Sequence, residues 1–140
     1  MESTVQTLVF VYGTLKPGGF YHETYCGGFR FDAEAGQVHG NLYDFPSLGY
    51  PGATESKANS IKGVLLTFHH KESEVLGKLD VLEGYDRNRP PEQNEYYRKQ
   101  VAVFDQDKQV ICRNAWCYFM EQKKVAQLNG VLLRSGYWSH

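Results

Sequence analysis

Lys71-Glu72-Ser73-Glu74-Val75-Leu76-Gly77-Lys78-Leu79-Asp80-Val81-Leu82-Glu83 is the stretch on which the fold turns, a long helical pattern in a chain otherwise rich in strand signals. Val75, Leu76, Leu79 and Leu82 recur at the spacing that lines one face of a helix. Glu83 falls on that same face, one turn beyond Leu79. An ionised carboxylate turned towards a core is costly unless paired, and the usual response is a raised pKa. A general acid or base working near neutrality needs the same property, so Glu83 is the first candidate for chemistry. Two structural readings stand beside that one. Gly84 marks a helix end, where Glu83 can bend out to water, and an arginine such as Arg98 can be its ion-pair partner.

Outward from the helix the pattern is mostly strand. Val5 to Tyr12 is a short β-branched and aromatic run ended by Gly13 and the breaker cluster Lys16-Pro17-Gly18-Gly19, as expected of a buried first strand. Tyr21 to Gly27 suits a short helix. Phe31 to Phe45 reads as one long strand, bent or bulged at Gly36 and Gly40. Ser47 to Ser60, with Gly49, Pro51 and Gly52, reads as a loop, and Ile61 to Phe68 as the strand before the helix. Beyond it, Asp86 to Asn94 is a polar segment carrying Arg87, Arg89, Pro90 and Pro91, with the makings of a lid. Strands at Tyr96 to Phe104 and Val110 to Phe119 join through Asp105-Gln106-Asp107. Gln122 to Leu133 reads as a short helix or loop, and Ser135-Gly136-Tyr137-Trp138 as an aromatic tail that docks on the body. Five or six strands and one main helix predict an α+β domain, its sheet curved or closed, with the helix packed against it.

Composition sets the limits. The 140 residues, 41% hydrophobic and 14% aromatic, suit one folded domain spanning 1–140. A net charge of -1 without a basic run gives no footprint for nucleic acid or a membrane surface. The apolar run Leu8 to Val11 is too short for a signal peptide or a span, so a cytoplasmic location is expected. Cys26, Cys112 and Cys117 make an odd count without metal-ligand spacing and read as reduced thiols. On one regular strand Cys112 and Cys117 would face opposite sides. No metal site is expected, and the scattered histidines, including His69-His70, suit surface or capping roles.

The loop Tyr12-Gly13-Thr14-Leu15 is a second constellation. Glycine lets the backbone approach a ligand, and the N–H groups of Gly13, Thr14 and Leu15 can converge on a carboxylate; an ordinary strand-ending turn is the structural alternative. Its spacing is not that of a phosphate loop.

Taken in order, Tyr12-Gly13-Thr14-Leu15-Lys16, Gly40-Asn41-Leu42-Tyr43, Tyr50-Pro51, Leu79-Asp80-Val81-Leu82-Glu83-Gly84-Tyr85, Tyr97-Arg98 and Ala115-Trp116-Cys117-Tyr118 resemble the γ-glutamylcyclotransferase-like superfamily. The resemblance implies a small mixed β-barrel with one main packed helix and a ligand cavity at one end. It maps the family's catalytic glutamate onto Glu83 and its substrate loop onto Tyr12, Gly13, Thr14 and Leu15, with Pro51 and Tyr118 lining the cavity. Gly-Thr-Leu, where the glutathione-pathway enzymes carry Gly-Ser-Asn, is similar to the shorter branch of γ-glutamylamine cyclotransferases and AIG2-like proteins. The activity implied is cyclisation of a γ-glutamyl amine or γ-glutamyl amino acid to 5-oxoproline, with the amine released.

That chemistry suits the residue types. The nucleophile is the substrate's own α-amine, so the protein needs no Ser or Cys nucleophile and no cofactor; it must move protons, hold the chain folded and stabilise the developing oxyanion. A non-catalytic module binding a γ-glutamyl or amino-acid-like ligand is the rival reading. A hydrolase using Cys112, Cys117 or a serine lacks both the Gly-x-Ser-x-Gly elbow and a Cys/His pairing. The identity of the leaving amine and the oligomeric state are open at this level.

Overall fold

The computed structural model of the chain describes residues 6–13 and 30–138. Its strands are β1 (Thr7–Val11), β2 (Phe31–His39), β3 (Asn41–Phe45), β4 (Tyr50–Thr54), β5 (Ser60–Phe68), β6 (Tyr97–Phe104), β7 (Val110–Phe119) and β8 (Val131–Leu132). Helix α1 spans Glu72–Leu82 and α2 spans Gln122–Gln127, with a 3-10 turn at Pro91–Gln93. The loop at Lys16–Gly19 and the helix expected at Tyr21–Gly27 lie outside the described residues.

Strands β1, β5, β2, β6 and β7 form a closed barrel in that order. Closure comes from the parallel pairing of β1 with β7 at Val9↔Trp116, while β1 pairs antiparallel with β5 from Thr7↔Phe68 to Val11↔Val64. A three-stranded sheet, ordered β4-β3-β8, is attached beside it. The backbone N–H of Met120 donates to the Ala53 carbonyl at 2.6 Å, tying β4 to the chain just after β7. The fold is therefore mixed α+β, as the strand and helix patterns imply.

Side-chain alternation divides the core into two clusters. Phe10, Tyr12, Ile61, Leu65, Val103, Cys117 and Phe119 belong to one cluster. Val9, Val11, Leu66, Phe68 and Tyr118 point the other way and pack with Val75, Leu76 and Leu79 of α1. With partners on both faces, β1 reads as the unbroken run Leu-Val-Phe-Val rather than an alternating one. The far face of α1 is solvated, and Val81 is 76% exposed there.

Several expectations need correction. The long strand over Phe31 to Phe45 is two strands meeting at Gly40, and they belong to different sheets. The Ser47 to Ser60 loop contains β4, whose pairing with β3 runs from Asn41↔Thr54 to Phe45↔Tyr50. Pro51 fits because β4 is an edge strand, where a missing N–H donor costs no ladder bond. The Gln122 to Leu133 segment holds both α2 and the two-residue β8, and among the described residues the strands number eight rather than five or six. Cys112 and Cys117 both pack against the same cluster. A register shift sets Val101 opposite Ala115 but Val103 opposite Cys112, and this extra β7 residue reverses the alternation. Both thiols are free. The tail does dock: Trp138 is buried and its indole donates to Asp44 Oδ1 at 3.2 Å.

Candidate active site

The end of α1 is built to hold its last residue in place. Gly84 takes φ +61°, which an L side chain rarely adopts, and closes a Schellman motif. Its N–H reaches the Val81 carbonyl at 3.3 Å, that of Tyr85 reaches Asp80 at 3.0 Å, and Glu83 itself donates to Leu79 at 2.9 Å. Glu83 is thus the C-terminal cap, fixed on the leucine face rather than frayed into water.

That face opens into a cavity of about 170 Å³ lined by Phe10, Val11, Tyr12, Gly13, Tyr50, Pro51, Leu82, Glu83, Glu95, Tyr96 and Tyr118. Each strand supplies a different wall. The end of β1 brings Tyr12 and Gly13, β4 brings Tyr50 and Pro51, β7 brings Tyr118, and α1 brings Leu82 and Glu83. Gly13 is buried against Pro51, and a Cβ on it would stand 2.9 Å from two Pro51 ring carbons. Of the residues anticipated from sequence, Tyr12, Gly13, Pro51, Glu83 and Tyr118 therefore share one cavity; Thr14 and Leu15 lie outside the described residues.

Burial pushes Glu83 up from the usual carboxylate range to about 8, with the negative charges of Glu95 and Asp80 adding to the effect. By exposed surface Glu83 is only half-buried, because the cavity it lines is open. Its carboxyl nonetheless sits deep among protein atoms, and desolvation is the leading cause of the shift. The arginine considered as its partner is engaged elsewhere. Arg98 Nε donates to Asp80 Oδ1 at 2.9 Å, and its guanidinium lies 4.6 Å from the centre of the Trp116 ring.

The phenols that line the cavity are engaged by hydrogen bonds. Tyr12 Oη donates to the Tyr118 carbonyl at 2.7 Å, Tyr96 Oη to the Pro51 carbonyl at 2.6 Å, and Tyr118 Oη to Asp80 Oδ1 at 2.6 Å. Tyr118 thus serves Asp80, not Glu83. Burial pushes Tyr12, Tyr96 and Tyr118 well above the ordinary tyrosine range, so they remain neutral donors. Cys117 is buried and its thiol is likewise pushed up by desolvation, which leaves no thiolate for nucleophilic attack. Among the described residues, no group of three or more His, Cys, Asp or Glu side chains is placed to hold a metal ion. No described helix is long and apolar enough to cross a membrane.

Glu95 and Tyr96 were not singled out by the sequence pattern, and Tyr50 appeared only within the Tyr50-Pro51 motif, without a site role. Glu95 is held by a hydrogen bond from Tyr50 Oη, and nothing in its local sequence signals that contact across 45 positions. The Asp86 to Asn94 segment that delivers it is tied down. Asn94 is buried; its Oδ1 accepts from the Asp86 N–H at 3.0 Å and from Arg89 Nε at 2.8 Å, and Arg89 also reaches the Gly84 carbonyl at 2.7 Å.

The fold matches an AIG2-like protein from Mus musculus with a TM-score of 0.67 and 17% identity, covering 96% of this chain and 89% of that one. A structure described as gamma-glutamyl cyclotransferase matches with a TM-score of 0.58 and 17% identity, over 83% of this chain and 67% of that one. YkqA from Bacillus subtilis gives a TM-score of 0.61 at 22% identity, with 96% of this chain covering 40% of that longer one. No curated protein matches by sequence. The family described as Gamma-glutamyl cyclotransferase, AIG2-like matches residues 9–140, and the chain belongs to that family.

Proposed function

We propose that the protein cyclises a γ-glutamyl amine or γ-glutamyl amino acid to 5-oxoproline and releases the free amine, with Glu83 as the proton carrier. The observation that carries the reading is the position of Glu83: a carboxyl on the wall of the cavity that Gly13 opens, raised to about 8 and without a cationic partner among the described residues.

Glu83 takes a proton from the substrate's α-ammonium, and the freed nitrogen attacks the γ-carbonyl carbon. A tetrahedral intermediate forms, Glu83 hands its proton to the departing nitrogen as the bond to the γ-carbon breaks, and the second proton of the ring nitrogen passes through Glu83 to the released amine, which leaves as its ammonium ion. No covalent enzyme intermediate arises. The Gly13 backbone, continuing into Thr14 and Leu15, grips the α-carboxylate and folds the flexible chain towards ring closure. Tyr12, Pro51 and Tyr118 shape the wall against which the five-membered ring forms.

Mass-spectrometric detection of 5-oxoproline released from a panel of γ-glutamyl amino acids, γ-glutamyl amines and γ-glutamyl-ε-lysine tests the reaction. Release by the native protein and not by Glu83→Gln is the expected result. Saturable binding without product would instead favour a non-catalytic binding module.

A further inference from the structure

Glu95 is a second carboxylate on the cavity wall, and the fold goes to some length to put it there. Its backbone N–H donates to the Gly84 carbonyl at 3.1 Å, directly beside Glu83 in sequence. A Cβ on Gly84 would stand 3.2 Å from Glu95 Cβ and 3.5 Å from its Oε2, so the glycine is what lets the two segments close up. Tyr50 Oη holds the other oxygen, Oε1. Arg89 and the buried Asn94 secure the approach, and no lysine or arginine forms a salt bridge with Glu95 among the described residues. Arg87, Arg89 and Arg98 line the groove on the outer side of Glu95, not the cavity.

We propose that Glu95 is a positioning residue that acts through Glu83: its fixed negative charge, delivered to the same cavity wall, governs when Glu83 takes up and gives back the substrate's proton. This inference rests on the reaction proposed above. Like charges sharing a small site resist simultaneous ionisation, and a base whose proton is held more firmly is the stronger base.

The surroundings identify Glu95 as the adjustable charge. On α1 itself Asp80 also faces Glu83, but its charge is offset by Arg98 and by the Tyr118 hydroxyl. Among the described residues, Tyr12 just after β1, Tyr50 of β4, Tyr96 before β6, and Cys117 and Tyr118 of β7 are the other titratable neighbours. Burial keeps Tyr12, Tyr96, Tyr118 and Cys117 neutral. Among the described residues that face Glu83, Glu95 is the carboxylate without a salt-bridged cation.

The test is a carbon-13 NMR titration of the glutamate carboxyls in the native protein and in Glu95→Gln, with Glu83→Gln assigning the Glu83 resonance. Alongside it, kcat/KM is measured against pH for 5-oxoproline release. The Glu83 midpoint and the acid limb should both move to lower pH in Glu95→Gln, by roughly one unit. Tyr50→Phe, which frees the Glu95 carboxyl without removing it, should move them the same way by less, and it decides the matter if Glu95→Gln does not fold. An unmoved midpoint in folded variants overturns the inference, even with native activity and a dead Glu83→Gln leaving the reaction intact. If no substrate is turned over, the reaction falls, while the titration still decides whether Glu95 controls Glu83.

Discussion

Asp80 and Glu83 lie one turn apart on the same helix, yet Asp80 alone has a counter-ion: Arg98 Nε reaches it at 2.9 Å and leaves Glu83 to the cavity. Residues three apart share a helix face, so a small rotation would exchange their roles. Two contacts prevent it. Tyr118 Oη holds Asp80 Oδ1 at 2.6 Å, and the Gly84 cap fixes Glu83 behind it. One carboxylate is thereby satisfied and the other left on the cavity wall, where the proposed proton transfer requires it.

Glu83 should weaken the fold as pH rises. Its folded value, about 8, lies above its ordinary 4.5, so between those values the folded state holds a proton that the unfolded chain has lost. Unfolding free energy therefore falls with increasing pH across that window, by a few kcal/mol in all, and is flat above it. Urea denaturation should show Glu83→Gln more stable than native protein at pH 9, with the two converging towards pH 4.5. Parallel curves at all pH values would contradict the raised proton affinity.

Activity should follow the same group. The profile of kcat/KM reports the free enzyme, and its acid limb should lie near pH 8, where Glu83 loses its proton. A limb in the ordinary carboxylate range, near 4.5, would assign the base elsewhere.

Asp80→Ala should be destabilising. It leaves the guanidinium of Arg98, 16% exposed, and the Tyr118 hydroxyl without their shared acceptor. A loss of about 1–3 kcal/mol in urea melts is expected, the partial exposure of the pair keeping it below the cost for a fully buried charge.

Gly13→Ala should separate folding from function. The added methyl meets the Pro51 ring at 2.9 Å within the cavity wall, so β1 or Pro51 must shift by a few tenths of an ångström. Melting temperature should fall by several degrees, for a cost of about 1–2 kcal/mol. Turnover should fall by roughly tenfold or more, because the backbone proposed to grip the substrate is displaced.

Much of this was legible in the sequence because the helix carries its own evidence. Val75, Leu76, Leu79 and Leu82 mark the buried face, Gly84 marks its end, and Glu83 falls between them. Strand β7 likewise matches its β-rich run from Val110 to Phe119. Strand β4 was hidden because Tyr50-Pro51-Gly52 reads as a turn; only its place at a sheet edge makes proline acceptable there. Strand β8, at two residues, is too short to show any periodicity. Glu95 was hidden for a different reason. It follows a polar, proline-containing segment, and what brings it to the cavity is tertiary: Tyr50 at one side and the Gly84 turn at the other.

The measurement that bears most directly on the account is 5-oxoproline release compared between native protein and Glu83→Gln, both shown folded by circular dichroism. The glutamine keeps the size and hydrogen-bonding capacity of the side chain while removing its ability to accept the ammonium proton. Turnover should fall by roughly a hundredfold or more for every substrate that the native protein cyclises. Glu83→Gln that releases 5-oxoproline at the native rate would contradict it.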